Sequence, residues 1–124
     1  MAESGEEVLG RFLGAVEKGD LEAIASFAHE DIEMTWPQSG ERFKGRQNAL
    51  GALTATEVNG EPAGEPRIQG AGNHWVMMMP LRYGEDVYHY VGVFELEGDK
   101  IRRTTEYFGA PFPAQEGRAK FAEH

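Results

Sequence analysis

Three runs in the second half of this chain constrain its fold more than any other feature. The segments "NHWVMMMPLRY" (73–83), "VYHYVGVFEL" (87–96) and "IRRTTEYF" (101–108) are rich in β-branched and aromatic residues, and only "GED" and "EGDK" separate them. Glycine beside an acidic residue is turn chemistry, and connections this short join strands that run antiparallel. The pattern predicts an antiparallel meander of three long strands.

The chain begins with helical periodicity instead. Ser4 and Glu7 fit a capping box ahead of Val8, Leu9, Phe12, Leu13 and Val16, which recur at helical spacing. Gly19 closes that helix, and Asp20 caps a second whose buried face is Leu21, Ile24, Ala25 and Phe27. "IEMTW" (32–36) alternates as a strand, "PQSG" (37–40) turns, and "ERFKG" (41–45) is a short extension. Residues 46–55 form a third helix with Ala49, Leu50 and Leu53 on one side, and 56–66, rich in Gly, Pro and Glu, reads as an irregular loop. Helices followed by a long antiparallel sheet give an α+β layout with the helices on one sheet face. The strands carry large apolar residues on both faces, so a partner subunit is expected over the other.

A chain of 124 residues makes one domain, here read as a core over 5–109 and a surface tail over 110–124. Its formal net charge of −9 argues against nucleic acid and anionic membranes as partners, since both need a basic face. With no cysteine, disulfides, thiolate nucleophiles and thiolate metal sites are excluded. The opening "MAESGEEVLG" has neither a basic start nor a long apolar run, so no signal peptide or membrane span is expected and the default location is cytoplasmic.

Taken in order, "VLGRFLGAVEKGDLEAIASFAHEDIEMTWP", "GRQNAL" and "VGVFELEGDKIRRTTEYFG" resemble the SnoaL-like branch of the nuclear transport factor 2-like superfamily over about residues 6–109. The order and spacing of the blocks carry the resemblance. It implies a cystatin-like, cone-shaped α+β barrel, in which three N-terminal helices fold over a strongly curved, mainly antiparallel sheet. It also implies an internal pocket and homodimers formed through the outer sheet face. The superfamily includes ketosteroid isomerases, limonene-epoxide hydrolases, polyketide cyclases, dehydratases and non-catalytic binding domains, so the fold does not fix the function. Where the ketosteroid isomerases carry a basic aspartate, an oxyanion-hole tyrosine and a protonated aspartate, this chain has Trp36, Phe12 and the neighbourhood of Gly92. The resemblance therefore implies no isomerisation by that mechanism. The Arg-x-Asp pair of the epoxide hydrolases falls among methionines 77–79, but their last-strand aspartate has a counterpart in Glu106.

If Glu106 points inward as that comparison implies, alternation along the strand turns Thr104 and Phe108 inward and Arg103, Thr105 and Tyr107 outward. The matching inward sets are Tyr88, Tyr90, Gly92 and Phe94, then Trp75, Met77, Met79 and Leu81; Met34, Trp36, Phe12 and Val16 complete the wall. Such a pocket is aromatic and Met-rich with few polar groups, the profile of a small-molecule site. Burial would raise the pKa of Glu106 and fit it for general acid–base work, with Tyr88 or Tyr90 as hydrogen-bond partner or electrophilic donor. Glu106, Tyr88 and Tyr90 are thus the candidate catalytic residues. Plainer readings stand beside this one. Glu106 could pair with Arg102 or Arg103, the tyrosines and methionines could be core filler, and Trp36 and Trp75 could stack on a flat ligand or simply pack.

His74 and His89 lie on neighbouring strands but face away from the pocket and lack a third ligand, so no metal is expected. His29 reads as a helix-end residue, and His124 is terminal. "GAG" (70–72) precedes a strand rather than a helix, which rules out a phosphate cradle, and no cofactor is called for. Two functions fit. One is binding of a small, largely apolar organic molecule with acid–base isomerase, cyclase or dehydratase activity centred on Glu106. The other is a non-catalytic ligand-binding or dimeric interaction protein.

Overall fold

A computed structural model of the chain describes residues 4–55 and 60–123. The first four residues of the expected 56–66 loop and His124 lie outside the described residues. Helix α1 (Gly5–Lys18) starts where the Ser4 hydroxyl accepts from the Glu7 N–H at 3.2 Å, and ends at Gly19, whose φ of 67° is left-handed. Helix α2 (Leu21–Phe27) follows at once, capped by Asp20 Oδ1 accepting from the Ala23 N–H at 3.1 Å. Strand β1 (Ala28–Trp36) turns into β2 (Glu41–Lys44), and helix α3 (Arg46–Ala55) follows. The Arg46 guanidinium ties α3 to β1 by donating to the Ala28 carbonyl through Nε at 3.1 Å and Nη2 at 2.9 Å.

The rest is sheet: β3 (Glu61–Pro62), β4 (Arg67–Ala71), β5 (His74–Tyr83), β6 (Asp86–Glu97) and β7 (Lys100–Gly109), before a 3-10 helix at Glu116–Phe121. The meander β5–β6–β7 is antiparallel, as its short turns require. Strand β3 was not expected; it pairs with Leu81 and Arg82 inside the stretch read as loop, while β4 pairs with the other end of β5. The full order is β2-β1-β7-β6-β5-β3, and β1 joins β7 in parallel, the one non-antiparallel pairing among the described strands. The register slips in β1 between Ala28 and Glu33, and in β7, where Arg102 is the extra residue opposite Glu95 and Leu96; such irregularities bend a strand and increase its twist. They help curl the sheet into the open cone over which the three helices lie.

Helix α1 docks on β4 and β5. A Cβ at Gly5 would meet Trp75 Nε1 at 2.0 Å, so only glycine lets the helix start lie against that indole. Trp75 in turn donates to the Gly72 carbonyl at 2.9 Å. The core runs from Val8 and Leu9 through Ile24, Ile32 and Met34 to Met77, Met79, Phe94, Leu96 and Ile101. The tail beyond β7 is exposed, with Phe112 and Phe121 both about four-fifths accessible.

Candidate functional site

Alternation along β7 does turn Thr104 and Glu106 inward, 4% and 9% exposed, and leaves Tyr107 at 42% on the outer face. Trp36 Nε1 donates to Glu106 Oε1 at 3.0 Å, and the Tyr90 hydroxyl donates to Oε2. Trp36 stands edge-on to Phe43 and Phe108, with ring centroids 4.9 and 6.0 Å apart, and Tyr90 leans on Phe108 at 5.4 Å. The carboxyl is therefore held at both oxygens by neutral donors inside an aromatic frame.

Gly92 makes that arrangement possible. It lies directly across from Glu106 in the β6–β7 register, and a Cβ there would stand 2.3 Å from the Tyr90 hydroxyl oxygen. The phenol of Tyr90 thus passes through the space that any side chain at position 92 would fill.

Neither Arg102 nor Arg103, the expected partners, pairs with the carboxyl. Arg103 faces outward between Glu95 at 2.8 Å and Glu33 at 3.6 Å, and Arg102 donates to the Asp31 carbonyl. Burial pushes the Glu106 pKa up, and the hydrogen bonds from Tyr90 and Trp36 offset only part of that rise. The Tyr90 hydroxyl is held well above its ordinary value, by burial first and then by the adjacent Glu106 charge. When Glu106 is ionised, the shared proton therefore stays on the phenol.

A cavity of about 40 Å³ lies beside this carboxyl, between the sheet and helices α2 and α3. A water molecule needs roughly 10–15 Å³ of such space, so the room corresponds to a compact guest of few atoms. From the expected wall it takes Phe12, Met34, Phe94, Thr104 and Glu106; Ile24, Ala28, Ile32, Ala49, Leu50, Leu53 and Ile101 supply the rest. The sequence reading missed the α2 and α3 residues, although Ile24, Ala49, Leu50 and Leu53 already stood out as apolar helix faces. Thr104 Oγ1 is buried in this wall without a hydrogen-bond partner among the described residues. Leaving a hydroxyl so costs on the order of 1–3 kcal/mol.

Several expectations need correction. Val16 is 41% exposed and does not line the cavity, because the inner stripe of α1 ends on Ala15 and the next residue lies about 100° further round. Tyr88 does not reach Glu106. It sits opposite Leu81, with its ring against Tyr83 at 4.9 Å. Trp36, Trp75, Met77, Met79, Leu81 and Phe108 belong to the core and its margin rather than to the cavity wall, and Gly92 does not line the cavity either. His29 directly follows Ala28, the C-cap of α2, as expected of a helix-end residue, and is also the second residue of β1; its Nδ1 accepts from the Asp31 N–H at 2.9 Å and its Nε2 meets Glu97 at 2.6 Å. His74 pairs across with Glu95 and His89 with Pro80, so the two imidazoles are far apart along the sheet. Among the described residues no three His, Asp or Glu side chains are grouped to hold a metal ion. A second hollow, about 120 Å³ and more polar, lies away from Glu106, lined by Val8, Arg11, Ser26, Phe27, Asp99 and Lys100.

The same architecture recurs among solved structures. An NTF-2 like protein of unknown function from Burkholderia xenovorans LB400 is 32% identical, with a TM-score of 0.82 over 96% of this chain and 93% of that one. The chain belongs to the NTF2-like family. A candidate ketosteroid isomerase from Kribbella flavida DSM 17836 superposes on this NTF2-like chain with a TM-score of 0.86 at 18% identity, over 100% of this chain and 93% of that one. A candidate SnoaL-like polyketide cyclase from Shewanella denitrificans OS-217 gives 0.67 at 10% identity, over 83% and 88%. At those identities the likeness is one of fold. No family model and no curated protein matches the sequence. Among the described residues, no helix is long and apolar enough to cross a membrane.

Proposed function

We propose that this NTF2-like protein binds a compact, largely apolar organic molecule between its helices and the sheet and exchanges a proton with it through Glu106. Isomerase-, cyclase- and dehydratase-type reactions share that step. The observation carrying the reading is a single buried carboxyl with a raised pKa in the wall of an apolar cavity. An acid whose pKa moves toward neutral serves as donor and acceptor at the same working pH. Each carboxylate oxygen has two acceptor sites, so the bonds from Trp36 and Tyr90 leave one on each oxygen for a ligand proton. Trp36 and Tyr90 hold the carboxyl in place. The isomerase and cyclase names attached to the Kribbella and Shewanella proteins belong to this class of chemistry.

A second reading, ligand binding without chemistry, rests on a different observation. Both oxygens of Glu106 already accept a hydrogen bond, and neither comes from a cation or a second acid that could relay a proton. Acetone in D2O, a guest small enough for a space of about 40 Å³, separates the two. The catalytic reading expects deuterium to enter the carbons beside the carbonyl faster than in buffer, measured by NMR, and Glu106→Gln to abolish that gain. Thermal stabilisation by the ketone without exchange would leave binding alone. Neither effect would remove both readings. The same proposal includes a second copy of the chain over the outer sheet face, where Val93 and Tyr107 are 39% and 42% exposed, and a cytoplasmic setting without nucleic-acid or membrane partners.

A further inference from the structure

Glu106 is not the only polar group in the cavity wall. Thr104 lies two residues before it on the same face of β7, 4% exposed, and its Oγ1 has no partner among the described residues. The reason is visible in the register. Its cross-strand neighbours are Met34 on β1 and Phe94 on β6, both buried and neither offering an oxygen or nitrogen. A buried hydroxyl enclosed by hydrocarbon on both sides and open to a cavity finds its acceptor in what fills that cavity, a water or a ligand atom.

We propose that the Thr104 hydroxyl donates to a carbonyl or ether oxygen of the ligand and is the residue that selects an oxygenated guest over a hydrocarbon of the same shape. This rests on the reading of the cavity as a ligand site and adds the ligand's chemical class. The guest is a compact apolar frame with one acceptor oxygen and a proton-bearing atom nearby. Residues two apart on a strand are separated by about 7 Å, a span that a guest of three or four heavy atoms bridges between the ends of the Thr104 and Glu106 side chains. The threonine fixes the oxygen, and the glutamate meets the neighbouring C–H or O–H. An oxygen held by a hydroxyl donor also draws electron density from the adjacent carbon, which eases loss of the proton that faces Glu106.

The test compares acetone with 2-methylpropene, which replaces C=O by C=CH2 at nearly constant shape. Binding to wild type, Thr104→Val and Thr104→Ser is followed by NMR titration, and melting temperature is measured without ligand. Wild type should prefer the ketone, Thr104→Val should lose about tenfold in ketone affinity while keeping hydrocarbon affinity, and Thr104→Ser should restore the preference. Without ligand, Thr104→Val should melt higher, because it removes a buried hydroxyl that has no partner. A Val variant that binds the ketone as wild type does, or that melts lower, overturns the assignment while leaving the cavity reading intact. If wild type binds neither compound, the cavity reading fails and the role of Thr104 fails with it.

Discussion

Replacing Glu106 by glutamine should change how stability depends on pH, in a direction and by an amount that follow from the burial of its carboxyl. Its folded pKa lies above the ordinary value of 4.5, because burial outweighs the bonds from Tyr90 and Trp36. Between those two values the folded chain holds a proton that the unfolded chain has lost. Glu106 therefore contributes most at low pH, and its contribution falls as pH rises through the folded pKa, at up to about 1.4 kcal/mol per pH unit for one proton. Glutamine has nearly the same shape, can accept from Trp36 and donate to the Tyr90 oxygen, and cannot ionise. Glu95 works in the opposite sense, since its hydrogen bond with Arg103 lowers its pKa, but it is present in both proteins and cancels in the difference. Urea unfolding followed by circular dichroism between about pH 4 and pH 8 gives the stability of each protein at each pH. Wild type minus Glu106→Gln should decline with pH over the window above 4.5 and then level off. A flat difference would mean that the carboxyl ionises as it does in the unfolded chain. A rising one would mean that the two hydrogen bonds outweigh burial, and the acid–base reading would lose its basis.

Two further substitutions probe the frame around that carboxyl. Trp36→Phe removes the indole N–H that favours the ionised form, so the Glu106 titration midpoint in carbon-13 NMR should move higher; an unchanged midpoint would deny that bond any role. Gly92→Ala places a methyl group where the Tyr90 hydroxyl passes and should cost about 1.5–3 kcal/mol in urea unfolding, the worth of a hydrogen bond to a charged group. A loss under about 0.5 kcal/mol would show that the phenol is displaced at little cost.

The helices, the meander and the inward face of β7 were legible because each rests on local periodicity and turn chemistry. Residues 46–55 read as a helix and form one, Ser4 and Asp20 cap helices through their side chains, and Gly19 closes α1 through its left-handed backbone. Alternation gave the face of Tyr88 correctly but not its place along the curved sheet, and it is the neighbouring Tyr90 that reaches the carboxyl. Nor could the contact between Trp36 and Glu106 be read locally, since it depends on β1 lying parallel to β7. The cavity size was illegible for the same reason. It is what remains after side chains from α1, α2, α3, β1, β6 and β7 have filled the cone, and no single segment determines that remainder.

The parallel pairing of β1 with β7 also sets a timetable for assembly. Trp36 and Glu106 stand 70 residues apart in sequence, so the carboxyl gains its indole partner only once nearly all of the structured chain is present. A chain emerging from the ribosome can cap its helices and pair β1 with β2 early, but it must wait for the last strand before β1 has a neighbour on its other edge. Contacts of such long separation slow folding, because the entropy of closing the loop is lost before the contact forms. Whatever chemistry this centre supports should therefore appear late and all at once during synthesis, with no partly active fragment before it.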